Sequence, residues 1–136
     1  VDIRTILSRI KNSVIDYSVQ RNKNIKIEIS GDSLDIDSDK ASSIALVVNE
    51  LIQNSLQYAF VGRDEGLIEV NIQRGSMYSN ISIIDNGVGF DIKSARPGSL
   101  GFNIVKSIVK DKLQGQINIQ SNDKGTKVMF DFKNKK

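Results

Sequence analysis

The chain of 136 residues contains no cysteine and no histidine, and it has a single proline. These absences exclude disulfides, thiolate nucleophiles, Ser-His-Asp triads and most transition-metal sites. Any metal must therefore be a hard cation held by oxygen ligands, and proton transfer must rely on carboxylates, lysine or tyrosine. Long apolar runs are also missing. The longest span only a few residues, whereas a membrane helix needs about 20, so we expect no membrane contact by this chain.

An excess of charge of one sign is absent from most of the chain as well. The formal net charge is +3, and Lys133, Lys135 and Lys136 at the C-terminus account for it. A basic tail of this kind is not the footprint of a nucleic-acid-binding surface, and we expect no nucleic-acid partner. The length is sufficient for one domain with a core, so we predict a single domain over residues 1–136.

Apolar residues recur at helical spacing in three segments and alternate with polar residues in six shorter ones. The predicted helices cover residues 1–20, 41–60 and 100–113, and the predicted strands cover residues 25–29, 34–36, 67–73, 79–84, 116–121 and 127–132. Strands joined by short turns are antiparallel, and helices must cover one face of their sheet. We therefore predict an α+β fold, a two-layer α/β sandwich in which three helices cover one face of a mixed, mostly antiparallel sheet.

The longest predicted helix carries the first candidate site. Glu50 and Asn54 are four residues apart, so they share a helix face at the rim of the apolar stripe, and Tyr58 extends the row. A carboxylate beside a carboxamide can serve as a proton acceptor and as a ligand for a hard cation. Taken alone, the segment is equally well described as a polar rim beside a buried stripe.

A second candidate lies where a predicted strand runs into a long glycine-containing loop. Asp85 ends the strand and is followed by Gly87 and Gly89, which place a carboxylate acceptor beside backbone that a flat ligand can approach closely. A carboxylate in that position suits an exocyclic amine such as that of adenine. The alternative is a hairpin turn at Asn86-Gly87.

Two further segments are weaker when each is taken by itself. Residues 98–102 join the loop to a helix, where backbone N–H groups and the helix dipole favour an anion, although Ser99 can also be a simple helix cap. Gly125-Thr126 is typical of a hairpin turn. The phosphate-binding patterns G-x-x-x-x-G-K-[ST] and G-x-G-x-x-G are both absent from the sequence.

The order and spacing of these segments resemble the GHKL ATPase superfamily. Asn49-Glu50-Leu51-Ile52-Gln53-Asn54-Ser55 resembles its N box, Asp85-Asn86-Gly87-Val88-Gly89-Phe90 its G1 box, Gly98-Ser99-Leu100-Gly101-Phe102 its G2 box, and Gly125-Thr126 its later Gly-Thr pair. The resemblance extends over nearly the whole chain. The branch that it resembles most is the ATP-binding catalytic domain of bacterial sensor histidine kinases.

The resemblance implies the Bergerat fold and a site for ATP and Mg²⁺. It implies that Glu50 polarises the attacking nucleophile or accepts its proton, that Asn54 coordinates Mg²⁺, and that Asp85 holds the adenine amino group. The glycines of the G1 box would make room for the base, the G2 box would cap the phosphates, and Thr126 would support the adenine end through its hydroxyl. The implied nucleotide-binding residues other than Asn54 and Asp85 are Tyr58, Gly87, Gly89, Phe90, Gly98, Ser99, Leu100, Gly101, Phe102 and Thr126.

The sequence departs from the family pattern in two places. Gln57 stands where the family often has a lysine or arginine, and Lys93 or Arg96 in the loop could supply the missing charge. The chain also lacks the phosphoacceptor histidine that a histidine kinase needs. We therefore expect a fragment that binds Mg·ATP but does not phosphorylate itself.

The implied function is that of the catalytic domain of a cytoplasmic two-component kinase. It would transfer the γ-phosphoryl group to a histidine on a separate dimerisation domain of the same homodimeric kinase, with a response regulator downstream, and the isolated fragment would be monomeric. The sequence leaves two alternatives open: an anti-sigma-factor-type serine kinase, and a non-catalytic scaffold of the same fold that binds nucleotide or a partner. Membrane attachment of the parent protein is left open.

Overall fold

The computed structural model of the chain describes residues 1–20, 23–89 and 102–134. Its helices and strands alternate much as the sequence patterns predict. In chain order they are α1 (Ile3–Gln20), β1 (Asn24–Gly31), α2 (Ser38–Asn54), a π-helical turn (Ser55–Ala59), β2 (Glu65–Gln73), β3 (Tyr78–Asp85), α3 (Phe102–Ser107), a second π-helical turn (Ile108–Lys112), β4 (Ile117–Asn122) and β5 (Gly125–Lys133).

The five strands form one mixed sheet in the order β1-β2-β3-β5-β4. β1 and β2 are parallel, because α2 carries the chain back to the starting edge of the sheet, and the other neighbouring pairs are antiparallel. The predicted α+β sandwich with a mixed, mostly antiparallel sheet is confirmed. Among the described residues, no helix has the length and apolarity to cross a membrane.

The predicted strand at residues 34–36 is wrong. Asp35 makes an isolated antiparallel bridge with Asp2, and Leu34 accepts a backbone hydrogen bond of 3.0 Å from Ile3. Three alternating residues are too few to specify a sheet partner, and a parallel neighbour for β1 requires that the chain leave the sheet before α2. The segment therefore anchors the start of α1 instead of extending the sheet.

The core lies between the helices and one face of the sheet. Alternate residues of β2 and β3 are buried, and α2 buries a stripe facing them that includes Ile44, Val48 and Ile52, all at most 2% exposed. Burial of each such side chain stabilises the fold by about 1.5–3 kcal/mol. α2 begins after Asp37, whose carboxylate caps the helix by accepting a 2.8 Å hydrogen bond from the Lys40 N–H.

Strand register determines which loops meet at each end of the sheet. Asp85, the last residue of β3, lies opposite Thr126 at the start of β5, and it also lies opposite Ile68 of β2. The first residue of β3, Tyr78, lies opposite Lys133 at the end of β5. The sheet therefore has an Asp85 end and an opposite end, and all segments of the predicted site that the structure describes belong to the first.

Candidate functional site

The centre of the Asp85 end is the Asp85 carboxylate itself, which is only 6% exposed. Its Oδ1 accepts hydrogen bonds from the backbone N–H groups of Gly87, at 3.0 Å, and Thr126, at 3.2 Å. Its Oδ2 accepts a hydrogen bond of 3.1 Å from the Ser55 hydroxyl. An ionised carboxylate has about four acceptor positions and no donor. Three donors from the described residues therefore leave one position for a further donor.

Ser55 was not among the predicted site residues. It follows Asn54 directly and begins the π-helical turn, with its side chain buried towards β3. A signal was present in the sequence: at 100° per residue, Ser55 lies about 140° from Glu50, in the middle of the apolar stripe of the helix. Because a buried hydroxyl needs a hydrogen-bond partner, this position predicts that Ser55 bonds to another buried polar group.

The turn after Asp85 packs tightly against the end of the long helix. The Val88 N–H donates to the Ala59 carbonyl over 2.8 Å, and a Cβ on Gly87 would lie 2.3 Å from that same oxygen. Gly89 has a φ of +73°, and a Cβ there would lie 1.7 Å from the carbonyl oxygen of Asn122. Both glycines therefore allow close approach of protein backbone. The predicted room for a base remains a prediction.

The same turn is fastened to β2 by Asn86. Its side-chain oxygen accepts a hydrogen bond of 2.8 Å from the Leu67 N–H, and its carbonyl accepts one of 2.8 Å from the Arg63 guanidinium. The Asn86-Gly87 pair is thus part of a braced turn, and β3 pairs with β5, not with a strand that follows this turn directly. The hairpin alternative for this segment is wrong.

Thr126 reaches the site through its backbone. Its N–H donates to Asp85, whereas its hydroxyl lies 2.8 Å from the hydroxyl of Ser121 on β4. Thr126 is 8% exposed. The register of β3 with β5 therefore brings Asp85 and Thr126 together as the sequence motifs require. The role predicted for the Thr126 hydroxyl stays a prediction. Ser121 was not predicted, because a serine in an alternating strand carries no mark of its cross-strand partner.

The N-box residues lie along α2 next to this network. Glu50 and Asn54 are both half-buried on the same helix, and Glu50 forms no ion pair within the part of the chain that the structure describes. Tyr58 falls in the π-helical turn, where the wider turn breaks the α-helical row, and its side chain is 48% exposed. The structure thus retains the Glu50–Asn54 spacing and moves Tyr58 off it.

The remaining predicted residues cannot be placed. Phe90, Gly98, Ser99, Leu100 and Gly101 lie outside the described residues, and so do the loop cations Lys93 and Arg96. Phe102 is the first residue of α3, and its side chain lies outside the description.

The oxygen ligands near the site suit a hard cation whose other ligands are phosphates and water. Within residues 1–20, 23–89 and 102–134, no group of three or more carboxylates forms a metal site. Magnesium binds proteins through one or two oxygen ligands when phosphates and water supply the rest. The half-buried carboxamide of Asn54 has an oxygen of the type that could serve as such a ligand.

The buried acceptor suits a ligand that donates a hydrogen bond, and comparison with known proteins identifies the family. Residues 39–136 match the family model described as histidine kinase-, DNA gyrase B-, and HSP90-like ATPase. The chain belongs to this family of ATPases. The resemblance to the GHKL superfamily seen in the sequence is thereby confirmed.

Within the family, the chain is similar to sensor histidine kinases. It is 29% identical over 110 residues to the sensor histidine kinase PdtaS of Mycobacterium tuberculosis, covering 78% of this chain and 22% of that protein. It is 31% identical over 114 residues to blue-light-activated histidine kinase 2 of Erythrobacter litoralis, covering 79% of this chain and 32% of that protein. The chain thus spans only a fifth to a third of these relatives.

A solved structure identifies the corresponding part of such a kinase. The histidine kinase domain of the blue-light activated histidine kinase of Erythrobacter litoralis matches this fold with a TM-score of 0.85 at 26% identity. The match covers 98% of this chain and 62% of that one. The chain corresponds to the ATP-binding catalytic domain of sensor histidine kinases.

Proposed function

We propose that the chain binds ATP with Mg²⁺ at the Asp85 end of the sheet and transfers the γ-phosphoryl group to a histidine of a separate dimerisation domain. The observation that carries the proposal is the buried Asp85 carboxylate, which accepts three hydrogen bonds from the described residues and has one acceptor position beyond those three. A buried carboxylate is costly unless its acceptor positions are used, and a ligand that donates a hydrogen bond can use the fourth. Membership of an ATPase family supports adenine as the base that supplies this donor.

Adenine recognition follows from the chemistry of that acceptor. The 6-amino group of adenine donates a hydrogen bond, whereas the 6-oxo group of guanine or hypoxanthine only accepts one. An ionised Asp85 therefore attracts the first and repels the second. Gly87, Gly89, Tyr58 and Thr126 complete the adenine end in this proposal.

The phosphate end of the site is assigned to α2 and the loop that follows β3. Asn54 would hold Mg²⁺, which neutralises charge on the phosphates when bound, and residues 90 and 98–102 would enclose the phosphates. Phosphoryl transfer depends mainly on positioning and charge neutralisation, so few protein groups are needed. Glu50, half-buried and without an ion pair among the described residues, would accept the proton of the nucleophile.

The histidine that accepts the phosphoryl group must belong to another domain, because these 136 residues contain no histidine. In the transfer, the bond between the γ-phosphorus and the bridging oxygen breaks, a phosphorus–nitrogen bond forms on the imidazole, and ADP leaves. The imidazole N–H proton passes to Glu50. A second copy of the kinase and a response regulator are the further partners that we propose.

Neighbouring structures support the kind of partner. A solved complex of the histidine kinase ThkA with the response regulator protein TrrA contains a chain of this fold, with a TM-score of 0.76 at 16% identity. We propose that residues 1–136 form one domain of a cytoplasmic kinase whose other domains carry the phosphoacceptor histidine.

The first test is the base preference of Asp85→Asn, measured by isothermal titration with ADP and with inosine diphosphate. The amide oxygen of asparagine can still accept from Gly87 and Thr126, which turns its NH₂ group towards the base. We expect ADP affinity to fall by about 10- to 150-fold, the equivalent of about 1.5–3 kcal/mol for a hydrogen bond to a charged group. Inosine diphosphate should then bind as well as ADP or better.

Asp131→Asn is the matched control, because the Asp131 carboxylate also accepts a hydrogen bond from a backbone N–H. The donor is Gln116, which lies in a part of the sheet remote from Asp85. It should bind ADP like the wild type. If the wild-type chain binds neither nucleotide at millimolar concentration, the non-catalytic scaffold replaces this proposal. If it binds ATP but phosphorylates serine in an acid-stable form, the serine kinase alternative replaces it.

A further inference from the structure

The two oxygens of Asp85 are held in different ways. Oδ1 is fixed by two N–H groups of the backbone, from Gly87 and Thr126, which cannot turn away without moving the turn or β5. Oδ2 has a single partner among the described residues, the Ser55 hydroxyl at 3.1 Å. Rotation of the carboxylate plane is therefore opposed chiefly by Ser55.

The Ser55–Asp85 contact is shielded from water. Ser55 is 9% exposed and Asp85 is 6% exposed, so water cannot readily replace the hydroxyl as a donor. In such surroundings a hydrogen bond to an ionised group is stronger than the same bond at the surface, because water does not compete for either partner. Ser55 directly follows α2 in right-handed helical conformation, and its buried side chain lies at the end of β3, where Asp85 is.

The direction of the Ser55 bond is fixed by its partner. An ionised carboxylate has no proton to give, so the single hydroxyl proton of Ser55 must point towards Oδ2. That proton is then not available to a carbonyl oxygen of a ligand. The same bond also leaves the remaining acceptor position of Asp85 in one fixed direction.

We propose that Ser55 is a positioning residue that orients the Asp85 carboxylate and thereby sets the preference for 6-aminopurine over 6-oxopurine nucleotides. This inference rests on the proposed nucleotide site. Ser55 acts on the base only through Asp85. Removal of its hydroxyl should therefore weaken binding of a 6-aminopurine nucleotide, which donates to Asp85, and should leave binding of a 6-oxopurine nucleotide nearly unchanged.

The test compares ADP and inosine diphosphate binding to Ser55→Ala by isothermal titration with Mg²⁺. We expect the ADP dissociation constant to rise by about 5- to 20-fold, the scale of one weakened charge-assisted hydrogen bond. The inosine diphosphate constant should change by less than about twofold, so that the ratio of the two constants shrinks. Equal weakening of both nucleotides, or no change in either, would overturn the proposal.

Ser79→Ala is the matched control, because Ser79 is also a buried serine with hydrogen-bond partners. It lies near the start of β3, at the end of that strand opposite to Asp85. It should leave the ratio of the two constants unchanged. Ser55→Cys keeps the shape of the side chain with a weak S–H donor. It should give an intermediate ratio, and it keeps the proposal testable if Ser55→Ala does not fold.

The failure of this inference differs from failure of the nucleotide site. If wild-type protein prefers ADP and Asp85→Asn abolishes that preference while Ser55→Ala retains it, only the role of Ser55 is wrong. If wild-type protein shows no preference for ADP over inosine diphosphate, the proposed adenine site itself is wrong and Ser55 has no base preference to set.

Discussion

The two ends of β3 each bury a serine hydroxyl, yet the two hydroxyls have different kinds of partner. At the Asp85 end, Ser55 donates to a carboxylate that has one acceptor position beyond its three donors in the described part of the chain. At the opposite end, Ser79 is 1% exposed and is bonded to the side chain of Asn134 and to the Gly75 N–H, which are neutral groups. The first arrangement suits a ligand, whereas the second closes a hairpin.

The opposite end of the sheet also contains a cavity of about 880 Å³. It opens between the start of α1, the β2–β3 hairpin and the end of β5, and its lining residues include Asp35, Arg74 and Lys133. Its polar side chains are mostly exposed and of both signs, and none of them is a buried acceptor. The cavity therefore lacks the buried carboxylate acceptor on which the proposed site depends.

In the proposed site, Asp85 serves binding and Glu50 serves chemistry, and Glu50→Gln separates the two roles with the largest expected effect. Glutamine cannot accept the proton of the nucleophile, so phosphoryl transfer to the dimerisation domain of the same kinase should fall by about 10²- to 10⁴-fold. ADP affinity should stay within about twofold of the wild type, because Glu50 makes no contact with Asp85 in the network described.

Radiolabelled ATP and quenched-flow sampling measure that transfer rate, and titration measures the affinity. Glu28→Gln serves as the control, because Glu28 is an exposed glutamate on the edge strand β1. A Glu50→Gln protein that transfers phosphate at the wild-type rate would show that another group accepts the proton. Loss of ADP binding in the same variant would show that Glu50 has a structural role instead.

Gly87→Ala tests whether the Asp85 end depends on the close approach of the turn and the long helix. The new Cβ would lie 2.5 Å from the Ala59 Cβ, and backbone must shift to relieve that contact. We expect a loss of about 3 kcal/mol in the free energy of unfolding, at the upper end for overpacking, and weaker ADP binding. Denaturant unfolding measures the first and titration the second.

Val88→Ala is the neighbouring control for Gly87→Ala. Val88 is 38% exposed and holds the Ala59 carbonyl through its backbone N–H, which alanine retains. It should cost less than about 0.5 kcal/mol. Wild-type stability in Gly87→Ala would mean that the turn and the helix end do not approach each other as closely as described.

Local periodicity explains how much of this fold the sequence could predict. Period 3.6 located the helices, and period 2 located five strands. The partners of each strand depend on contacts far apart in the chain, so the parallel pairing of β1 with β2 and the fate of residues 34–36 were beyond local pattern.

The candidate site divides along the same line. Motif spacing singles out Asp85 and Thr126 as candidates, and the pairing of β3 with β5 places them opposite each other. Helical period places Ser55 in the middle of the apolar stripe, but its partner Asp85 lies 30 residues further along the chain, and local pattern does not identify such a partner. Tyr58 leaves the row in which an α-helix would have placed it, because the π-helical turn at Ser55–Ala59 has no signal in the sequence period.

Ser79→Ala has the smallest expected effect on the site and sharpens the contrast between the two ends of β3. Removing its hydroxyl leaves the Asn134 side chain and the Gly75 N–H short of one partner each, in a place that is partly open to water. We expect a loss of about 1–2 kcal/mol in the free energy of unfolding, with ADP affinity unchanged. Urea titration and calorimetry on the same sample measure both quantities. A Ser79→Ala protein of normal stability but weakened ADP binding would contradict the separation of the two ends, since it would mean that the hairpin and the nucleotide site communicate along β3.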